Sequence, residues 1–295
     1  MFEKTAVLFL YAETPVHWGA GSSVGAIDLP IQRERHTGHP IGQAAGIKGS
    51  VRDFVEKTVG VDTPEVIAVF GPDTKNADKH AGCVSFGDAR IVLFPVRSLR
   101  GTFAYATCPL ALSRLGRLVG RTWNLKVEES QALLPKESLV LLKNKPGVVL
   151  EESYYARAAG DVEEPAEWIS RRAVSDPFWA GQIRNKLVVL SDTDFQHLVR
   201  SATFVEAHTK IDDLTGTVAD GALFQAEYVP CDSLFFVPIA AAKPFNRAAG
   251  LGGAEGVLKI VEGWLNKEAR IQTGADASTG RGIVSIRFLS NGGSP

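Results

Sequence analysis

Residues 13–52 read ETPVHWGAGSSVGAIDLPIQRERHTGHPIGQAAGIKGSVR, and the chain's first strand-to-helix passage is built around this stretch. An apolar run from Ala6 to Tyr11 leads into it with the composition of a strand, and a helical pattern leads out of it from Ile47 to Thr58. In between lie a glycine-rich turn, one acidic residue on an extended loop (Asp28), a dense basic cluster and a basic helix start. A helix opening with Gly46, Ile47, Lys48, Gly49 and Ser50 offers unpaired backbone N–H groups, and Gly49 lets a phosphate come close. Lys48 and Arg52 add positive charge one turn apart, and Arg33, Arg35, His36 and His39 precede them. The combination suits a polyanion better than a small metabolite.

Two common phosphate-binding patterns are set aside. A dinucleotide fingerprint needs its three glycines directly after a strand and opening a helix, whereas Gly19, Gly21 and Gly25 follow an intervening TPVHW and run on into Asp28 and Pro30. The stretch from Gly42 to Ser50 fails the P-loop pattern because Lys48 precedes Gly49 instead of following it, and the late run GADASTGRG from Gly274 to Gly282 fails it too. Taken singly, each glycine run also reads as an ordinary surface turn.

With 295 residues, 45% hydrophobic and 22% charged, the chain is long and apolar enough to bury a substantial core, which excludes disorder of the whole. The net charge of −1 is low for a nucleic-acid binder, so local clusters have to carry the electrostatics. Arg97 with Arg100, Arg114 with Arg117 and Arg121, and Arg171 with Arg172 form further groups, each equally readable as a solvated face. Cys83, Cys108 and Cys231 are widely spaced, which suggests neither a disulfide framework nor a zinc site, and His36 with His39 lacks further ligands at a fitting spacing. No apolar stretch approaches the length of a membrane span, so the expectation is a cytoplasmic protein with no membrane partner.

Strands are expected at Ala6–Tyr11, Val84–Phe94, Leu139–Leu142, Leu187–Leu190, Ala222–Tyr228, Leu234–Ile239 and Ile283–Phe288. Helices are expected at Ile47–Thr58, Leu110–Val119, Thr193–Thr203 and Ala254–Lys267. Strands at both ends with helices between them do not alternate as in a doubly wound sheet. They predict an α+β fold, a ferredoxin-like (RRM-like) β-α-β-β-α-β core with long insertions, in one domain over residues 1–295. The segment from Ala207 to Phe224 separates two extended runs by turn-forming residues and predicts a protruding hairpin, about residues 205–228, with its tip around Asp212 to Gly216.

Read in order, HWGAGSSVGAIDLPIQRERHTGHP with IKGSVR, then FGDARIVLFPVRSLRGTFAYATCP, then GALFQAEYVP and finally IQTGADASTGRG resemble the backbone subunit of type III-B CRISPR effector complexes, the Cmr branch of the RAMP superfamily. The resemblance covers nearly the whole chain. It departs where two small hydroxyl residues usual before the helix Lys-Gly are replaced by Gly46 and Ile47 or by Ala44 and Ala45, which removes side-chain hydroxyl contacts there but leaves backbone ones.

The resemblance implies a subunit that binds CRISPR guide RNA, assembles head to tail with copies of itself and with other Cmr-type subunits, and cuts complementary target RNA once per subunit. It makes the hairpin a "thumb" that wedges into the guide–target duplex. It aligns Asp28 with the family's cleavage residue, and it places Gly280 and Arg281, beside Arg33, Arg35, Lys48, Gly49, Ser50 and Arg52, on the RNA. RNA carries its own nucleophile in the 2′-hydroxyl, so one carboxylate with Mg²⁺ or another divalent cation, or with nearby basic groups, supplies what cleavage still needs. Asp28 fits either role, while a lone loop aspartate also reads as a solvated turn residue. His17, Glu227 and Tyr228 are further candidates for the same site: His17 as proton donor or strand-orienting group, or else a core histidine beside Trp18, and Glu227 as a carboxylate that holds a metal or pairs with an arginine. Rival readings are a structural subunit that does not cut, a free endoribonuclease that processes guide RNA, and a small-molecule enzyme built on the glycine-rich loops.

Overall fold

The computed structural model describes residues 2–61, 63–73, 76, 80–209, 211–212, 214–218, 223–245, 250–265 and 269–290. Its first strand, β1 (Lys4–Ala12), is buried on both faces from Ala6 onward, which is why it reads as an unbroken apolar run with no alternation. Ala6, Leu8 and Leu10 face one hydrophobic core, and Val7, Phe9 and Tyr11 face the other. The short β2 (Ile41–Gly42) precedes α1 (Ala44–Val59), whose Ile47, Val51 and Val55 form a single buried stripe. Helix α2 (Pro64–Phe70) follows, started by the Thr63 side chain accepting from the Val66 amide.

The run expected as one strand at Val84–Phe94 is two strands, β3 (Val84–Phe86) and β4 (Ala89–Ser98). They part at Gly87, whose amide donates to the Pro238 carbonyl, opposite a proline that has no N–H to give a ladder. Next come β5 (Thr102–Thr107), α3 (Pro109–Val119), β6 (Gln131–Leu133), β7 (Gly147–Leu150) and β8 (Ser153–Arg157). Leu139–Leu142 is not a strand. It is a turn that plugs the buried Val140 into the core, with the Leu139 amide donating to the Asn185 carbonyl. Helices α4 (Glu163–Arg172) and α5 (Pro177–Lys186), β9 (Leu187–Leu190) and α6 (Asp192–Ser201) complete the middle of the chain.

Strands β10 (Phe204–His208) and β11 (Phe224–Tyr228) form a separate antiparallel two-stranded ribbon, pairing Phe204 with Tyr228 and His208 with Phe224. Beyond it Ile211 bridges Val218, and Asp212 Oδ1 accepts the amides of Leu214 and Thr215. The chain then runs through β12 (Leu234–Ala241), α7 (Gly253–Leu265), β13 (Arg270–Gln272), a 3₁₀ turn (Ala277–Thr279) and β14 (Ile283–Ser290). The expected strand start at Ala222 and helix end at Lys267 lie outside the described residues.

The fold is α+β. The main sheet runs β13-β14-β1-β12-β4-β5-β9-β6-β8-β7, and β7 returns to β4 by pairing Leu150 with Ser98. Strands β4, β5, β9, β6, β8 and β7 therefore close on themselves into a ring, while β14, β1, β12 and the first part of β4 remain an open antiparallel sheet. One face of this open sheet packs on α1, α2 and α7, and the other on α3, α4 and α5. Among the described residues no helix is long and apolar enough to cross a membrane.

Candidate functional site

The loop from Val16 to Ile31 is laid along the outer edge of β11. Both the N–H and the C=O of Gln225, Glu227 and Val229 point to that edge, and the loop takes each of them. The Gln225 amide donates to Asp28 Oδ2 at 2.7 Å, and the Gln225 carbonyl accepts the Leu29 amide. The Glu227 amide donates to the Leu29 carbonyl, the Glu227 carbonyl accepts from His17 Nδ1 at 2.6 Å, and Val16 and Val229 exchange both bonds. Asp28 and His17 thus hang from positions two residues apart on one strand, roughly 7 Å along it. Asp28 is exposed, with one carboxylate oxygen oriented by the Gln225 amide.

A carbonyl oxygen only accepts, so the proton on His17 sits on Nδ1, and Nε2 of the neutral ring carries the lone pair. Nε2 lies against Gly19: a Cβ there would come within 2.6 Å of it, so a glycine is needed. The buried Tyr228 ring packs on the His17 ring at 5.4 Å, and its hydroxyl donates to Asp276 Oδ2 at 2.9 Å. Burial, the hydrogen bond to Asp276 and the nearby Glu206 charge push the Tyr228 hydroxyl up to about 12, so it stays protonated near neutral pH.

Glu227 is buried and fully engaged. Its Oε1 meets Arg33 Nη2 at 2.5 Å and the Thr203 hydroxyl at 2.8 Å, and its Oε2 accepts the Ile31 amide at 3.0 Å. Arg33 spends its other terminal nitrogen on the carbonyls of Gly38 and Val199. Of the two alternatives for Glu227, the geometry has it paired with an arginine. Among the described residues no group of three or more His, Cys, Asp or Glu side chains gathers to hold a metal ion.

Helix α1 starts at Ala44, three residues before its expected position, because Asp88 Oδ1 accepts the Ala44 amide. The amides of Lys48, Gly49 and Ser50 therefore lie inside the helix, and the groups left open at its start are the N–H groups of Ala45 and Gly46. Gly46 lines an open groove of about 420 Å³ together with His17, Gly19, Gln32, Gln43 and Gly274. Lys48 is half-buried with no ion-pair partner among the described residues, and burial followed by the Arg52 charge holds its amine below the usual lysine range. Arg52 pairs with Glu56 at 2.7 Å one turn on. Gly49 is exposed and would meet nothing within 4 Å if it carried a side chain, and Arg35 is exposed as well.

The C-terminal glycine loop closes the groove from the other side. The Ala275 amide donates to the His17 carbonyl, Trp18 Nε1 donates to Thr273 Oγ1, and a side chain on Gly274 would strike the His17 carbonyl at 2.4 Å. Arg281 reaches back over the ribbon, its Nη2 2.5 Å from Glu206 and its guanidinium 5.3 Å over the Tyr228 ring, while Gly280 is exposed. The structure thus brings His17, Tyr228, Glu227, Arg33 and Arg281 into one connected network and hangs Asp28 from the same strand. Lys48, Gly49, Ser50 and Arg52 stand apart on α1. Sequence reasoning named Gly19 only as part of a rejected dinucleotide pattern and did not single out Glu206, His208 or Asp276, although the last stands in the glycine-rich GADASTGRG run. A second cavity of about 490 Å³, lined by Tyr11, Glu13, Trp179, Asp232, Arg270 and Arg287, involves none of these residues.

Comparison with known proteins places this geometry in a family. The family model of the RAMP superfamily matches residues 9–285. The protein named CRISPR system Cmr endoribonuclease Cmr4 from Pyrococcus furiosus is 34% identical, the alignment covering 98% of each chain. The CRISPR system CMR subunit Cmr4 from Saccharolobus solfataricus is 25% identical over 96% of each. The crystal structure of oligomeric Cmr4 from Pyrococcus furiosus superposes with a TM-score of 0.73 at 27% identity, over 97% of this chain and 98% of that one. With a family match spanning most of its length and a full-length relative at this identity, the chain belongs to the RAMP superfamily.

Proposed function

We propose that this chain is a backbone subunit of a type III-B CRISPR effector that lies along guide RNA and cuts the base-paired target RNA at regular intervals, one cut per subunit. The full-length likeness to a protein named as a Cmr endoribonuclease supports the activity, and the likeness to an oligomeric Cmr4 supports assembly with further copies of itself. Repetition along one RNA accounts for a chain with a net charge of only −1, because many modest basic patches add up. Other Cmr-type subunits and a cytoplasmic setting belong to the same reading.

The open sheet fits the ferredoxin-like core. Its order, β14-β1-β12-β4, with α1 between β1 and β4 and α7 between β12 and β14, is the 4-1-3-2 order of a β-α-β-β-α-β unit. The ribbon of β10 and β11, with its turn near Asp212, corresponds to the thumb. Open amides at Ala45 and Gly46, with the unpaired Lys48 amine, suit the guide backbone, which is read by shape and charge and not by sequence.

The observation that carries the catalytic reading is the Asp28 carboxylate held by the Gln225 amide on the strand edge that also receives His17. Asp28 is then the group that draws the proton from the target 2′-hydroxyl, and His17 Nε2 is a second acceptor beside it. Tyr228 and Glu227 hold these groups in place. Among the described residues Asp28 is the carboxylate that would hold a divalent cation, which would keep most of its waters and supply charge neutralisation at the phosphate.

The test reconstitutes the complex with wild-type or Asp28→Ala chain and follows labelled complementary RNA on a sequencing gel, in Mg²⁺ and in chelator. Every regularly spaced cut should vanish in the variant, while assembly and target binding persist. Undiminished cutting would overturn the role of Asp28, and cutting that persists in chelator would remove only the metal.

A further inference from the structure

We propose that Asp276 is a positioning residue for cleavage, acting on His17 through the Tyr228 ring. This rests on the reading of the site given above. Asp276 stands on the C-terminal glycine loop in the left-handed conformation (φ 62°, ψ 31°), and its backbone carbonyl accepts the amides of Thr279 and Arg281. Its carboxylate is thereby aimed at the ribbon, where Oδ2 accepts the Tyr228 hydroxyl proton at 2.9 Å.

The Tyr228 hydroxyl spends its one proton on Asp276, so the contact with His208 Nε2 at 3.0 Å is a bond donated by the histidine. The hydroxyl is pinned from two sides, and the ring it terminates is the wall against which His17 packs. That ring also lies under the Arg281 guanidinium, which Glu206 fixes. The same loop also grips His17 directly, through the Ala275 amide on the His17 carbonyl. One loop therefore sets the histidine backbone by a direct bond and its imidazole through Tyr228. A Tyr228 hydroxyl that loses its acceptor no longer fixes the ring angle, and Nε2 is released from its place beside Gly19.

A double-mutant cycle on the assembled complex tests this. Asp276→Gly removes the carboxylate while glycine accepts the left-handed backbone without strain, and Tyr228→Phe removes only the hydroxyl. Each should slow single-turnover cleavage about tenfold, and the double variant should be no slower than Tyr228→Phe alone, because that variant already removes the bond to Asp276 along with the one from His208. Asp276→Asn keeps an acceptor oxygen and tolerates the same backbone, so it should come within about threefold of wild type. Guide and target affinity should stay within about twofold throughout, and the His17 ring resonances in nitrogen NMR of the subunit should move in Asp276→Gly but not in Asp276→Asn.

Wild-type rates and unmoved His17 resonances in Asp276→Gly would overturn the inference, as would losses that add in the double variant or that follow RNA affinity. If Asp28→Ala is inactive while Asp276→Gly cuts normally, only the positioning role falls. A wild-type complex that leaves target RNA whole overturns the cleavage reading and this inference with it.

Discussion

Arg33 Nη2 lies 2.5 Å from Glu227 Oε1, a pair that fastens the basic loop to the base of the ribbon. Both side chains are largely withdrawn from water, at 20% and 4% exposure, so each charge is compensated mainly by the other. Removing one partner of a buried pair costs about 3–5 kcal/mol, because the survivor is left uncompensated. Glu227→Ala should therefore lower the melting temperature together with cleavage. Glu227→Gln, which still accepts from the Ile31 amide or Thr203, should lose less of both. Thermal melts beside cleavage assays check this, and an inactive Glu227→Ala chain with wild-type stability would mean that the carboxylate acts on RNA directly.

Gly19 offers a test of the His17 ring position. A methyl group on Gly19 would sit 2.6 Å from Nε2 and 3.2 Å from Cδ2, and the ring is held by Glu227 and Tyr228 on its other sides. Gly19→Ala should push the imidazole out of place and slow cutting by a factor on the order of ten or more, since displacements near 1 Å at a reacting group are costly. Filter binding should show guide RNA held as before. Wild-type cutting rates in Gly19→Ala would show that Nε2 need not lie where it does.

Lys48 trades stability for charge. Burial disfavours its charged form, so the unfolded chain holds the Lys48 proton more tightly than the folded one. Stability of the RNA-free chain should rise as pH climbs from the lowered folded value toward the ordinary value of 10.5. Lys48→Met should remove that rise, raise the melting temperature near neutral pH, and weaken RNA binding about equally for unrelated sequences with a flatter salt dependence. Melts across alkaline pH, with binding titrations at several salt concentrations, measure both halves.

His39 provides the acid-side counterpart. Burial drives its pKa down to about 4, its Nδ1 has no hydrogen-bond partner, and its ring stands edge-on to Phe195 at 5.0 Å. The unfolded chain binds this proton near pH 6.5 and the folded chain only near 4, so stability should fall as pH drops between those values. At about 1.4 kcal/mol per pKa unit the loss is on the order of 3 kcal/mol. A His39→Leu chain should show a shallower acid decline in melting temperature, and an unchanged slope would place the acid sensitivity elsewhere.

How much of this was legible in the sequence depends on where each residue finds its partner. β1 was plain because an interior strand buried on both faces is apolar at successive positions. The ring of β4 to β9 was not, since β6 is three residues long and takes its place only through pairing with β8 and β9. Leu139–Leu142 looks like a strand by composition, yet only Val140 is fully buried there. The start of α1 was displaced by Asp88, a residue 44 positions away that no local pattern reveals. At the site, His17, Asp28, Glu227 and Tyr228 could be nominated by chemistry and resemblance. That Glu227 is consumed by Arg33, and that Asp276 reaches Tyr228, are long-range facts that only the fold discloses.

An unpaired edge strand is a template on which an identical chain can add itself, and a protein working as many adjacent copies would meet that hazard constantly. Here the outer edge of β11 offers no such template, because the loop of His17 and Asp28 already occupies its amides and carbonyls from Gln225 to Val229. The bonds that hold His17 and Asp28 in place thus also serve as a guard against edge-to-edge aggregation.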